Sequence, residues 1–297
     1  MKIFKAFRQG SVRSLRAWRG ILITWFASLL TVSLVVLPMR GALNSGFGKS
    51  MVTEKLRDGL NLEVLSDLSS GLKSVVSSFI SGFFLLILFG MIVNAFLAGG
   101  LFDSIKSPAR KISASEFFRA SARNFLTFFV ISLIISVIII SLAFIIVGIP
   151  LSIVKDNKTA SEAAPFVAAI ISGSVLAVVI IIFMLVADFA RAWQARNEKQ
   201  KCLKALVFGF SRTFRTFFSS FPTMLIVMAV IVLFMFLTIN LLGPWRPITS
   251  GGVFLLFILS QAMFIINLFL KTWSYGCVTS LMEQTDPTPD EAFFKMP

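Results

Sequence analysis

Few residues of this chain could do chemistry, and their types exclude several classes of reaction. The 297 residues include no histidine and two cysteines, Cys202 and Cys277, which lie far apart in the sequence. Imidazole ligation of haem, histidine-dependent zinc sites and Ser-His or Cys-His nucleophile pairs therefore cannot be built. Neither cysteine has a second one nearby, so we interpret both as single, reduced thiols. We predict that the protein is not an enzyme and uses no cofactor or metal.

Two charged residues, Asp188 and Lys271, fall near the ends of long apolar stretches. Ionisable groups inside a bilayer are costly and therefore tend to be functional. Both residues come at a similar depth in their stretches, which motivates the hypothesis of an Asp188–Lys271 ion pair. The alternative is ordinary placement at the membrane interface, where Lys271 extends its amine to water and Asp188 is hydrated.

The other polar candidates inside the apolar stretches are four amides, Asn94, Asn240, Gln261 and Asn267. Such side chains either join helix to helix, at roughly 0.6 kcal/mol each, or line a polar path. Small residues also recur every four positions, at Ala169, Gly173 and Ala177. This spacing allows close helix packing, and we expect that packing to lie within the chain rather than at a dimer contact.

The elements that must position these residues are membrane helices. Hydrophobic residues make up 57% of the chain and charged residues 14%, whereas a soluble domain carries about 25% charged residues. The mean hydropathy of +0.89 also argues against nucleic acid as a partner, despite the net charge of +14. A transmembrane helix needs about 20 mainly apolar residues. We predict an all-α, polytopic membrane bundle over 21–276, with six transmembrane helices near 21–38, 77–101, 126–149, 166–188, 222–242 and 252–271.

The distribution of Arg and Lys predicts the orientation of this bundle. The segments 2–19, 103–124 and 190–217 together hold eighteen basic and three acidic residues, whereas the opposite side holds eight and six. Short cytoplasmic segments retain positive charge, so both termini are predicted to be cytoplasmic. We therefore predict a basic amphipathic helix over 1–20, an external segment over 39–74 and a cytoplasmic tail over 277–297. Within the external segment, 48–73 has helical spacing and is expected to form a cap or a lid.

The membrane predicted from this charge pattern is the inner, cytoplasmic membrane of a cell. The first 53 residues contain no acid and are rich in Arg and Ser, which is also typical of mitochondrial presequences. An organellar inner membrane therefore remains an alternative.

A weak threefold repeat precedes the first, third and fifth predicted helices. Arg13, Arg123 and Arg212 each have a small residue three positions earlier and an aromatic residue five positions later. One interpretation is that basic and aromatic residues simply anchor at membrane interfaces. The other is a triplicated unit of one amphipathic cytoplasmic helix and two membrane helices. In both cases these three arginines are candidate contacts to anionic lipid head groups.

These observations predict a membrane protein without a catalytic centre. We expect a membrane-embedded subunit or scaffold that packs with lipids and with partner chains, which are either other proteins or further copies of itself. The alternative is a permease or channel for an apolar or amphipathic solute, which the repeat and the lid-like segment would favour.

Overall fold

The computed structural model describes residues 2–47, 69–106, 113–156, 161, 163–197, 202–245, 247 and 249–285. Side chains are described within these ranges at 4–34, 87–155 and 161–284. The described residues are almost all helical and include no strand. The predicted lid or cap over 48–73 lies largely outside the described residues, as does the predicted tail after residue 285.

The described residues form nine α-helices in chain order. They are α1 (Lys2–Arg16), α2 (Trp18–Phe47), α3 (Ser69–Lys106), α4 (Ala114–Ala143), α5 (Ile149–Asp156), α6 (Ala164–Arg196), α7 (Cys202–Arg215), α8 (Phe217–Leu242) and α9 (Ser250–Thr285). A π-helical turn, Phe144–Gly148, joins α4 to α5. The chain divides into two compact units, residues 25–94 and residues 1–24 with 95–297. The smaller unit contains the later part of α2 and the earlier part of α3.

Five described helical segments are long and apolar enough to cross a membrane, where the sequence predicts six. They are Ile87–Lys106, Ala114–Lys155, Ala164–Arg196, Phe217–Leu242 and Ser250–Gln284. A sixth is counted if Phe4–Arg16 and Trp18–Leu34 form one broken span, although the two are bent by 65°. All six predicted spans fall inside helices, and the apolar segments are those of a multi-pass membrane protein.

Local sequence explains where several helices begin and bend. Helix α4 begins at a capping box, in which the Glu116 N–H donates to Ser113 Oγ and the Ser113 N–H donates to Glu116 Oε2, each at 3.2 Å. These bonds satisfy two backbone donors that a helix start leaves open. Helix α6 begins with Pro165 in its first turn, where the missing N–H is harmless. Single-residue breaks at Ala17 and Thr216 separate α1 from α2 and α7 from α8.

The buried core of the larger unit occupies only one half of each long helix. Buried positions run over 117–135 in α4, 185–195 in α6, 220–227 in α8 and 268–282 in α9. One cluster shows how these halves meet, since Ile131 and Ile135 of α4 pack with Val186 and Ala190 of α6 and with Leu206 of α7. In the other halves of these four helices, Ser172 is the one buried residue among those described. We call these exposed halves the outer halves, and the buried halves the inner halves or inner ends.

Helix α9 continues nine residues past the boundary predicted at 276. The predicted tail therefore begins inside this helix, and Val278, Leu281 and Met282 are buried there. The extension is favourable because these apolar residues keep helical spacing and gain burial at the inner end of the bundle.

Candidate functional site

Helix α1 packs directly against the inner half of α9. A Cβ at Gly10 would lie 2.6 Å from Cys277 Sγ, and one at Gly276 would lie 2.8 Å from the Gly10 carbonyl oxygen. Only glycine allows such a close approach of two backbones. The Trp273 indole also donates to the Phe7 carbonyl at 3.3 Å. Helix α1 is therefore fixed to α9.

A carboxylate on α9, Glu283, joins three helices at this contact. Arg13 of α1 donates to both carboxylate oxygens, at 2.8 Å from Nη1 to Oε1 and through Nη2 to Oε2. Arg196 of α6 lies 3.2 Å from Oε1. Bidentate Arg–carboxylate pairs are among the stronger polar contacts in proteins. Sequence reasoning assigned Glu283 to the tail and therefore missed this site.

Replacing Glu283 by Gln is expected to loosen α1. The three side chains are 12–18% exposed, so solvent screens their attraction little, and loss of the charge should reduce the free energy of unfolding by about 1.5–3 kcal/mol. Limited proteolysis near the N-terminus in mild detergent should become faster. The control is Asp103→Asn, since the Arg123–Asp103 pair is 3.3 Å long and more exposed. Equal effects of the two substitutions would contradict the assigned role.

Two further segments, α7 and the start of α4, also pack through small residues. Together with α1 we call them the amphipathic segments. In α7, a Cβ at Gly209 would lie 2.5 Å from the Val186 carbonyl oxygen of α6. At the start of α4, Ser121 lies against Gly99 of α3, where an added Cβ would be 3.2 Å from the Ser121 Cα. Phe117 similarly covers Gly100. Each segment is thus held against the inner end of a membrane helix.

A group of charges lies between these helices, of which Asp188 is buried and Arg191 and Lys271 are partly exposed. Arg191 Nη1 donates to Asp188 Oδ1 at 2.9 Å, and Nη2 donates to the Ser132 hydroxyl of α4 at 2.9 Å. Asp188 is 3% exposed. The positive charge of Lys271 on α9 also acts on the Asp188 carboxylate. We call Asp188, Arg191 and Lys271 the charge centre.

The charge centre refines the hypothesis of an Asp188–Lys271 ion pair. The structure adds Arg191 as a direct hydrogen-bonding partner of Asp188, and an ion pair between Asp188 and Lys271 stays a prediction. Sequence reasoning placed Arg191 in the loop segment 190–217, because the predicted helix ends at 188. Asp188 and Arg191 are three positions apart, and residues at this spacing are neighbours on a helix. Their pairing could therefore have been predicted from the sequence.

Aromatic rings pack beside the charge centre. Tyr275 of α9 stacks on Phe102 of α3 with 4.5 Å between ring centroids, and Phe102 meets Phe128 of α4 edge to face at 5.7 Å. Phe128 also accepts a hydrogen bond from Ser132 through its carbonyl oxygen. The inner end thus joins α3, α4, α6 and α9 through both apolar and charged contacts.

Of the four amides, two are exposed and two are partly exposed. Asn240 is exposed near the end of α8, where its amide donates to the Phe236 carbonyl of the same helix at 2.8 Å. Gln261 and Asn267 are partly exposed on α9. Asn94 is exposed and belongs to the smaller compact unit. A polar path lined by these side chains stays a prediction.

The three repeat arginines have contacts inside the protein. Arg13 pairs with Glu283, Arg123 pairs with Asp103, and Arg212 is 7% exposed with its guanidinium 5.9 Å from the Phe208 ring. These contacts give the arginines a role in holding the amphipathic segments. Their contact with lipid head groups stays a prediction.

Both cysteines are free thiols. Cys202 Sγ lies 3.7 Å from the Thr127 carbonyl oxygen, and partial burial raises the pKa of this thiol above its ordinary value. A thiol with a raised pKa is less often present as the reactive thiolate. Cys277 is buried against Gly10.

Chemically, this arrangement can hold helices together and can attract an anion. The charge centre has two cationic groups and one carboxylate, so its formal charge is positive. The buried hydroxyls and the Glu283 pairs link helix to helix. Comparisons of the chain with protein-family models, with curated proteins and with solved structures give no match.

Proposed function

We propose that this protein is a non-catalytic, membrane-embedded subunit or scaffold whose outer helix halves pack with lipids and with partner chains. The observation that supports it is the exposure of those halves. In the most apolar stretches of α8 and α9, only 6% of the residues are buried, and in α4 to α5 and in α6 the share is 17%. A bundle that packed only with itself would bury one face of each helix along its length.

A stripe of small residues on α6 supports a protein partner. A Cβ at Gly173 would meet nothing within 4 Å, and Ala177 is exposed. The packing expected within the chain is thus not formed at Gly173 by the described residues. Gly and Ala every four positions allow two helices to approach closely, so we assign this stripe to a partner chain or a second copy.

The bundle that presents these outer halves is proposed to be a threefold repeat with six spans. Its support is the shared burial of equivalent positions. The small residues Gly10, Ala120 and Gly209 are all buried. The polar residues four positions later are buried as well, namely Ser14, Asn124 and Thr213.

The helix breaks add to this support, with one exception. Ala17 and Thr216, which lie four positions after Arg13 and Arg212, are equivalent and both interrupt a helix. The third equivalent residue, Thr127, lies within the continuous helix α4.

The packing partners also follow a cyclic order. The start of α4 packs on α3, and α7 packs on α6, so each amphipathic segment contacts the membrane helix that precedes it. Helix α1 instead packs on α9, which belongs to the third proposed unit. In the proposed repeat, the first unit therefore completes the arrangement by joining the third.

The proposed placement is the inner, cytoplasmic membrane, with both termini in the cytoplasm. The amphipathic segments, which contain most of the excess Arg and Lys, all pack at the inner end of the helices. Short cytoplasmic segments are the ones that retain positive charge.

The scaffold proposal is tested by the mass of the protein extracted in mild detergent. We expect a complex larger than the monomer, and we expect Gly173→Leu to dissociate it because a branched side chain blocks close helix approach. The matched control is Gly90→Leu on α3, where an added Cβ also meets nothing within 4 Å. A monomeric mass for the unaltered protein would overturn the proposal.

A second candidate function, a permease for an amphipathic solute, is favoured by the charge centre. Its positive formal charge lies among apolar helices, where it could attract an anionic head. Uptake of a fluorescent amphipathic anion by proteoliposomes would support this function if Lys271→Met reduced it. Uptake equal to that of protein-free liposomes would exclude that solute class.

A further inference from the structure

We infer that the outward faces of the three amphipathic segments bind anionic phospholipid. These faces, which we call the interfacial faces, combine exposed basic residues with large exposed apolar residues. The basic members are Lys5, Arg8, Arg16, Arg19, Arg119, Lys204 and Arg215. The apolar members are Phe4, Leu15, Trp18, Phe118, Leu126, Leu203, Val207, Phe214 and Phe218.

Helix α1 shows the separation of its two faces most clearly. Ala6, Gly10 and Ser14, spaced by four positions, are buried against the bundle. On the opposite side, Phe4 and Leu15 are 78% and 62% exposed beside the exposed Arg8. Apolar side chains on the face turned away from the protein core need another apolar environment.

Helix α7 repeats this arrangement with different residues. Its inward face contains the buried Ala205 and Gly209, whereas Val207 is 68% exposed and Phe214 is 62% exposed. Phe218, just after the break at Thr216, is 94% exposed. A soluble surface would not favour large apolar groups in this number beside arginines, but a helix lying at a membrane interface does.

The start of α4 provides the third face. Phe117 and Asn124 are buried, whereas Phe118 and Leu126 are 43% and 71% exposed. Arg119 is exposed between them in sequence. The same division into inward and outward sides thus occurs in all three segments.

The charges on these segments are divided in a way that favours an anionic ligand. Arg13 and Arg123 face the acids Glu283 and Asp103, so those acids are balanced within the protein. The interfacial faces of α1 and α7 contain no acid. Each basic residue near an anionic leaflet raises affinity by about fivefold, and exposed Trp18, with Arg19 5.7 Å from its ring, is a typical interface anchor.

This inference uses the membrane placement of the proposed function but not the scaffold role. Lipid retention in detergent or nanodiscs does not depend on which membrane side a face occupies. A failure of lipid binding can therefore be told apart from a failure of the proposed orientation or of partner binding.

The experiment is native mass spectrometry of the full-length protein released from nanodiscs of phosphatidylcholine with about 30% phosphatidylglycerol, an anionic lipid. We expect the unaltered protein to retain phosphatidylglycerol in excess of its share. A variant with Arg8, Arg16, Arg119 and Arg215 all changed to Gln should retain at least about fivefold less of that excess. The matched control changes Lys55, Arg57, Lys155 and Lys158, on the predicted opposite side, to Gln and should keep the excess.

Three results would overturn the inference. The first is no preference for phosphatidylglycerol in the unaltered protein, and the second is an equal loss in the control. The third is loss of a bound acidic protein from the variant with unchanged lipid retention, which would make that protein the ligand. Thermal unfolding of both variants checks that they remain folded, and exposed charges should change the unfolding temperature little.

Discussion

Gly209→Ala is expected to displace α7 from α6 and to destabilise the protein strongly. The new Cβ would lie 2.5 Å from the Val186 carbonyl oxygen and 3.0 Å from the Ala190 Cβ. Both groups belong to the same rigid helix, so relief requires α7 to move. Overpacking of this kind costs about 3 kcal/mol, and the better helix propensity of Ala returns about 1 kcal/mol. We therefore expect a net loss of about 2 kcal/mol.

The displacement of α7 can be followed at Cys202, the first residue of this helix. In a Cys277→Ser background, maleimide labelling of Cys202 should become faster in the Gly209→Ala variant, because its partial burial is lost. The control is Gly90→Ala, where the added Cβ meets nothing within 4 Å. If both alanine variants unfold at the same temperature and label at the same rate, the contact between α7 and α6 is not as close as described.

Arg191→Met is expected to have the largest effect among the charge variants. It removes the 2.9 Å pair with Asp188. The Asp188 side chain, which is only 3% exposed, then keeps its charge in a buried position without Arg191. Breaking a buried pair by removing one partner costs about 3–5 kcal/mol. Because Lys271 also acts on Asp188, we expect a value near the lower end, about 3 kcal/mol.

A second substitution distinguishes this effect from simple loss of packing. Asp188→Asn combined with Arg191→Met should recover most of the stability, since no uncompensated carboxylate remains. Thermal unfolding in mild detergent measures both variants, with Arg123→Met as the control at a more exposed pair. Strictly additive effects would show that Asp188 and Arg191 are not coupled. A larger loss from Lys271→Met than from Arg191→Met would make Lys271 the principal partner.

The membrane helices could be predicted because lipid imposes one simple requirement on sequence, a long apolar run. The run over 222–242, for example, ends at the same residue as α8. Helix continuation past the apolar run could not be read in the same way. The charged and polar residues at Arg191 and Glu283 interrupt the hydropathy signal, although intrahelical hydrogen bonding and burial continue the helix there.

The sequence predicted which positions of the amphipathic segments face inward, but not the surfaces that those positions contact. The spacing of small residues before Arg13, Arg123 and Arg212 marked the inward positions. It could not identify the surfaces opposite them, because Gly10 meets Gly276 across most of the chain length. The division between inward and outward arginines likewise depends on where Glu283 and Asp103 lie in space.

The contact of α1 with α9 also has a consequence for biosynthesis. The hydrogen bond from Trp273 to Phe7 spans 266 positions. Because chains are synthesised at about 5–20 residues per second, α9 is made roughly 15–50 s after α1. During that interval the glycine-lined side of α1 has no α9 to cover it. A ribosome stalled before α9 should therefore hold α1 in a form that chaperones or proteases can reach. Protection of α1 would then coincide with the emergence of α9 from the ribosome.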